Sequence, residues 1–142
     1  FTQLLGGRHP DASLLLMPTF GIIDAQDPRF ISTVRAYERL LAPTGLMYRY
    51  RHLDDFGETT SAFSICSFWW VEAVAAMGEL DRAVEIFERI LSHANPVGLF
   101  SEDIDPKTGA LFGNFPQTYS MACLILTAMR LSRSWEDRYW RG

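Results

Sequence analysis

The chain of 142 residues has 13 Lys and Arg against 17 Asp and Glu, a formal net charge of −4, and it is 48% hydrophobic. This is the size of one ordinary domain with a buried core. Its scattered positive charges lack the basic footprint of a nucleic-acid-binding protein, and no apolar run reaches the roughly 18 residues that span a bilayer. His9, His52 and His93 lie far apart and give no metal-ligand spacing. We therefore expect no nucleic-acid or membrane partner, no metal and no other cofactor.

Helical spacing of apolar residues dominates the first half of the chain. Asp11 begins a short helix that Pro18 would end. Asp27 and Pro28 are typical of the N-cap and first position of a helix, and the apolar spacing predicts that this helix continues to Leu41. Residues 46–61 are irregular, which predicts a short extended piece followed by a polar loop.

Three further helices are predicted in the second half. Residues 62–77 are apolar on nearly every side, which indicates a buried helix. Residues 80–93 form an amphipathic helix, and a long loop follows at 98–115. Pro116 opens the last helix, which runs through Leu131 before a polar tail, residues 132–142, that is free to wander. The sequence thus predicts five helices and two long loops, and loops of this length are often functional.

The two cysteines indicate little chemistry. Cys66 and Cys123 both lie in apolar, helix-like segments, so we interpret them as reduced core thiols that behave as small hydrophobes, although a disulfide stays open. The chain has no nucleophile elbow, P-loop or Rossmann fingerprint.

The 98–115 loop mixes carboxylates with apolar side chains. Its carboxylates and nearby hydroxyl are Ser101, Glu102, Asp103 and Asp105, and its apolar members are Phe100, Leu111, Phe112 and Phe115. Such a mixture suits carbohydrate chemistry, because sugars need acidic groups for hydroxyls and proton transfer and flat apolar faces to rest on. From spacing alone, capping of a turn by the same carboxylates is the favoured interpretation.

A second cluster of charges lies upstream. Arg49 and Arg51 stand close to Asp54 and Asp55. A guanidinium is a rigid fork of donors that binds sugar hydroxyls or a carboxylate. The alternative is a surface salt-bridge cluster of little energetic value, and composition alone favours it.

Several segments, in one order, resemble glycoside hydrolase family 15, the glucoamylase and trehalase family. The run GLFSEDIDPKTGALFGNFPQTYSMACLILTAMRL is similar to the stretch that carries the family's catalytic base, and AFSICSFWWVEAVAAMGELDRAVEIFERIL to the helix pair before it. GLMYRY resembles the family's G-L-x-x-R-Y element, and DASLLLMPTFGII the helix that precedes it. The resemblance covers nearly the whole chain, and several motifs in order are more specific than one.

The resemblance implies an all-α fold in which helical hairpins form part of an (α/α)6 barrel, with residues 1–142 as a C-terminal portion of the catalytic domain. It also implies inverting hydrolysis of α-glucosidic bonds without a cofactor. Glu102 takes the role of general base, and Arg49 that of the substrate-binding arginine. Tyr50 and Trp69 are further candidates for lining the substrate site.

Three departures from the family pattern accompany the resemblance. No segment matches the upstream W-E motif of the general acid, so we expect that residue outside this chain and expect the isolated chain to be inactive. Thr60 stands nearest to a position where many members have Glu, and Met121 stands where His is usual. Met121 is expected near the base, where it would affect substrate choice and pH behaviour.

A non-catalytic α-helical module that binds carbohydrate or protein stays open as the alternative. The enzyme interpretation predicts an α-glucoside as partner, and uncovered helix faces predict self-association. The start of the sequence shows no signal-peptide pattern, which favours a cytoplasmic location, although the chain begins at Phe1 without an initiator Met.

Overall fold

Four α-helices, a 3-10 helix and a small sheet form the part of the chain that the computed structural model describes, residues 1–53, 55 and 57–132. In chain order they are the 3-10 helix (Ala12–Leu16), α1 (Pro28–Leu41), β1 (Ala62–Phe63), α2 (Ser64–Ala76), α3 (Leu80–Leu91), β2 (Asp103–Ile104), β3 (Leu111–Phe112) and α4 (Thr118–Leu131). The expected, mostly helical architecture is confirmed. Asp54 of the upstream charge cluster and residues 133–142 of the polar tail lie outside the described residues.

The helix starts follow the local signals in the sequence. The Asp27 side chain accepts the Arg29 N–H at 2.8 Å ahead of Pro28, as an N-cap does. Asp11 caps its own segment in the same way through the Ser13 N–H, also at 2.8 Å. That segment is one short 3-10 helix instead of an α-helix, which is usual for so few residues.

A three-stranded antiparallel sheet was not predicted. Its order is β1-β2-β3, with Ala62 opposite Ile104 and Asp103 opposite Phe112. The start predicted for the buried helix, at Ala62, is therefore strand, and two strands lie within the predicted 98–115 loop. Strands of two residues are too short to show an alternating pattern in the sequence.

Helix α2 is the centre of the core. It packs against α3, α4 and the 3-10 helix, and Cys66, Phe68 and Val71 on it are fully buried. The prediction that this helix is buried on nearly every side is confirmed. The Phe68 ring also meets the buried Phe100 ring edge-on, with centroids 5.4 Å apart, so the core reaches the segment just before Glu102.

Helix α4 presents an uncovered apolar face. Tyr119, Ile125, Leu126 and Met129 are 66%, 56%, 61% and 68% exposed, and their spacing places them on one side of the helix.

In the described part of the chain no helix has the length and apolar character to cross a membrane. The cytoplasmic location stays a prediction.

We expect the isolated chain to self-associate through this face of α4, because contiguous exposed apolar surface promotes association. The double substitution Ile125→Gln, Met129→Gln is expected to shift the light-scattering mass towards that of a monomer. Glu85→Gln, on the exposed side of α3, serves as the control and is expected to leave association unchanged. A monomer at the highest concentration reached, before any substitution, would contradict the expectation.

Candidate active site

One cleft, of about 430 Å³, brings together three of the four residues predicted for the site. Arg49 and Tyr50 reach it from the segment after α1, and Glu102 reaches it from the residue before β2. The complete lining is Arg49, Tyr50, Thr59, Ser61, Phe63, Glu102 and Asp103. Hydroxyls, two carboxylates, a guanidinium and two aromatic rings thus face one space.

The main chain of Glu102 is held from two sides. Its N–H donates to the Asn114 carbonyl at 2.9 Å, and its carbonyl accepts the Ser64 N–H at 2.9 Å. Ser64 is the first residue of the buried helix α2. The position of Glu102 is therefore tied to the core, although sequence analysis placed the residue on a long loop.

One oxygen of the Glu102 carboxylate is fixed by Asn114. Oε2 accepts the Asn114 side-chain amide at 2.8 Å and the Asn114 backbone N–H at 3.2 Å. Within the described residues no donor reaches Oε1. The neighbouring Gly113 has a φ of +79°, and a Cβ there would come within 3.0 Å of the Glu102 Cβ and 3.1 Å of Oε2. A glycine is required at this position both by the backbone and by the space.

Arg49 forms a partly buried ion pair that the sequence did not predict. Its Nε donates to Asp11 Oδ1 at 2.6 Å, and the Asp11 side chain is only 5% exposed. Burial alone would raise the pKa of Asp11, but hydrogen bonds from Arg49 and Ser13 outweigh it and hold that pKa below its usual value. The sequence indicates only that a carboxylate buried among apolar residues needs a partner, and it does not identify Arg49 as that partner.

Trp69 and Tyr50 occupy different places. Trp69 does not line the cleft; its ring centroid lies 5.8 Å from Cζ of Arg49, so it flanks the guanidinium from α2. Tyr50 does line the cleft, and its ring stacks on His52 with centroids 4.6 Å apart. His9 adds a third ring, 4.7 Å from that of His52.

Asp103 shares the cleft with Glu102, where sequence analysis had favoured turn capping for the loop carboxylates. The Ser61 hydroxyl donates to Asp103 Oδ1 at 3.0 Å. Burial raises the pKa of Asp103; the Ser61 hydrogen bond lowers it, and the nearby Glu102 charge raises it further. Ser61, Thr59 and Phe63 also line the cleft and were not predicted, because only long-range strand pairing brings them to Glu102.

Thr60 and Met121, the two departures that are residues of this chain, lie outside the cleft lining. Thr60 is exposed and borders a smaller cleft with Asp105 and Phe112, whereas its neighbours Thr59 and Ser61 face the main one. Met121 is half-buried on α4, and its sulfur accepts the Phe100 N–H at 3.4 Å. Met121 thus contacts the segment that leads to Glu102, two residues before the carboxylate.

Neither cysteine lines this cleft. Cys66 and Cys123 are unpaired thiols, and burial raises the pKa of Cys66 far above its usual range, so that it stays protonated. Among the described residues, no three or more His, Cys, Asp and Glu side chains lie together in a group that could hold a metal ion.

Comparison with known proteins agrees with the resemblance in the sequence. The profile of Glycosyl hydrolases family 15 matches residues 1–129, and the chain belongs to this family. Its mostly helical architecture is consistent with part of the family's (α/α)6 barrel.

Three relatives are trehalases. The chain is 41% identical to a trehalase of Mycolicibacterium smegmatis over 139 residues, which is 96% of this chain and 21% of the relative. It is 41% identical to a trehalase of Mycobacterium tuberculosis over 140 residues, with shares of 96% and 21%. It is 39% identical to a trehalase of Thermoplasma acidophilum over 139 residues, with shares of 97% and 24%. The chain thus spans between a fifth and a quarter of these relatives' length, and no solved structure matches it significantly.

The Asp11 pairing gives a pH-dependent prediction. Because the pKa of Asp11 is lower in the folded state than its ordinary 3.8, its stabilising effect is complete above that value and is lost as the pH falls through the folded pKa. We expect Asp11→Asn to reduce the free energy of unfolding by about 1 kcal/mol at neutral pH, since Arg49 is partly exposed and screened. Urea unfolding is expected to show this difference shrinking below pH 3.8.

Arg49→Gln provides the control for this pair. In that background the same Asp11→Asn substitution is expected to cost less, because the ionic partner is already gone. A loss of stability that persists unchanged at acidic pH, or that is the same in both backgrounds, would contradict a stabilising ion pair between Asp11 and Arg49, since Asn retains the helix cap.

Proposed function

We propose that the protein containing this chain is an inverting glycoside hydrolase of α-glucosidic bonds, with trehalose as the first substrate to test and Glu102 as general base. The family match and the trehalase relatives support the substrate class. The single observation that carries the residue assignment is the Glu102 carboxylate, which lies in the cleft with one oxygen fixed by Asn114 and the other without a donor among the described residues.

This arrangement suits a base that activates water. The neutral amide of Asn114 orients the carboxylate without adding charge, and the remaining oxygen is available to accept a proton from a water. That water attacks the anomeric carbon while a carboxylic acid on the opposite side protonates the leaving oxygen. Inversion requires the two carboxyl groups to stand about 6.5–9.5 Å apart, and we assign the acid to the part of the protein outside this chain.

The other cleft residues take substrate-binding roles in this proposal. The guanidinium of Arg49 is held through Nε by Asp11, so its two terminal nitrogens are oriented as donors to sugar hydroxyls. Tyr50 and Phe63 offer flat apolar faces on the cleft wall. Trp69 restrains the guanidinium from behind instead of touching the sugar.

Residues 1–142 are proposed to form a C-terminal portion of a larger catalytic domain. The chain matches relatives over only 21–24% of their length, and the exposed apolar face of α4 requires cover. The complete domain would supply both the general acid and that cover. A glucoamylase-like preference for longer glucans is the neighbouring alternative within the same class.

The base assignment is tested by Glu102→Gln in the full-length protein. We expect glucose release from trehalose to fall at least about a hundredfold, because the amide cannot accept the proton of the attacking water. Maltose and soluble starch are measured in parallel to define the substrate. Glu85→Gln makes the same chemical change on the exposed side of α3 and is expected to retain full activity.

Two outcomes would contradict the proposal. Full activity of the Glu102→Gln protein would remove Glu102 from the reaction. If the unaltered, folded protein released no glucose from any of the three substrates, a non-catalytic module would explain the chain better.

The spacing around Gly113 provides a second test of the base. Gly113→Ala is expected to displace the Glu102 carboxylate, because the new Cβ would lie 3.0–3.1 Å from two Glu102 atoms. We expect kcat to fall about tenfold or more, with a smaller change in KM. Gly98→Ala is the matched control, because Gly98 has a φ of +80° in the same region of the chain and no atom within 4 Å of its Cβ position. If both variants lost kcat equally, the loss would be due to backbone strain and not to displacement of the Glu102 carboxylate.

A further inference from the structure

We propose that Asp103, oriented by Ser61, is a substrate-binding residue whose carboxylate accepts hydrogen bonds from hydroxyl groups of the glucosyl unit. This inference deepens the proposed function and rests on it. Three observations carry it: a position fixed by the sheet, a shared cleft, and one carboxylate oxygen without a donor among the described residues.

The sheet, and not the side chain, fixes the position of Asp103. Its backbone lies in the middle strand, paired with Phe63 on one side and Phe112 on the other. The partner Phe63 lines the same cleft. The carboxylate is therefore not needed to hold its own segment in place.

Asp105, two residues further along, shows what a structural aspartate in this loop looks like. Its Oδ1 accepts the Lys107 N–H at 2.8 Å and its Oδ2 accepts the Thr108 hydroxyl at 2.8 Å, so both oxygens serve the turn. Those hydrogen bonds lower the pKa of Asp105. Asp105 does not line the main cleft.

Asp103 differs in each of these respects. Only Oδ1 has a protein donor in the described part of the chain, the Ser61 hydroxyl at 3.0 Å. No described Lys, Arg or His forms an ion pair with it. Burial raises its pKa, and the hydrogen bond from Ser61 offsets this only in part. A half-buried carboxylate that faces a cleft with one oxygen lacking a described donor is stabilised by hydrogen bonds from a ligand.

The donors that fit are sugar hydroxyls. An ionised carboxylate accepts but does not donate, and the charge of Glu102 beside it disfavours an anionic ligand. Gly113 keeps room next to this carboxylate, because a Cβ there would come within 3.3 Å of Asp103 Oδ2. A neutral ligand rich in hydroxyl groups satisfies Oδ2 without adding charge.

The test measures glucose affinity and trehalose kinetics in the full-length protein. Asp103→Asn retains the size of the side chain and the Ser61 hydrogen bond but removes the charge and one acceptor. We expect about tenfold weaker glucose binding by calorimetry and about a tenfold higher KM for trehalose, with kcat changing less. Ser61→Ala is expected to produce a smaller loss of affinity, and Asp105→Asn is the matched control expected to leave affinity unchanged.

Monodeoxyglucoses separate binding from a structural effect. If Asp103 contacts a hydroxyl, the deoxyglucose that lacks it binds equally to the unaltered and the Asp103→Asn protein, whereas the others bind the variant more weakly. Equal weakening of every analogue together with a lower Tm would overturn the inference, as would unchanged glucose binding. In both cases trehalose hydrolysis by the unaltered protein would leave the proposed function standing. If the unaltered protein releases no glucose from trehalose, maltose or soluble starch and does not bind glucose, the proposed function fails, and this inference fails with it.

Discussion

The pairing of β1 with β2 is the constraint on which the cleft depends. Through it the first N–H of α2, from Ser64, donates to the carbonyl of Glu102. The same pairing places Phe63 opposite Asp103, so the carboxylate side and the aromatic side of the cleft share one ladder. Because α2 is the most buried helix, this ladder transmits the rigidity of the core to residues that otherwise belong to long connections.

The arginine side of the cleft is attached to the same element. The Met47 N–H donates to the Ser67 hydroxyl on α2 at 2.9 Å, and the Met47 carbonyl accepts the Phe63 N–H at 3.0 Å. Two residues later, the Arg49 carbonyl accepts the Ala12 N–H at 2.9 Å, and the Arg49 side chain pairs with Asp11. Both walls of the cleft are thus held by hydrogen bonds to α2 or to the strand next to it. This keeps Arg49 and Glu102 at a fixed separation although they are distant in sequence.

The sequence patterns correctly predicted those features of the fold that depend on neighbouring residues in the chain. The Asp27 cap and the buried character around Phe68 are consequences of neighbours within a few residues, and both are confirmed. Ser61 and Asp11 could not be placed in this way, because their roles arise from partners 42 and 38 residues away, Asp103 and Arg49. Asp11 also fits the local pattern of a helix cap. Because the cap alone accounts for an Asp at this position, the sequence offered no reason to expect the second partner, Arg49. Arg49, Tyr50 and Glu102 were predicted as site residues by the resemblance to a known family and not by periodicity.

The charges in the cleft disfavour an anionic ligand and suit the substrate of the proposed reaction, which is neutral and becomes positive in the transition state. The positive charge of Arg49 is already balanced by Asp11, whereas Glu102 and Asp103 are held by the neutral donors Asn114 and Ser61. The cleft therefore carries an excess of negative charge that its described residues do not neutralise. Such a field repels phosphate or carboxylate ligands, and in the proposed reaction it would stabilise an oxocarbenium-like transition state. An ion pair between Arg49 and either cleft carboxylate would weaken that field, so the pairing of Arg49 with Asp11 supports the proposed chemistry as well as the fold.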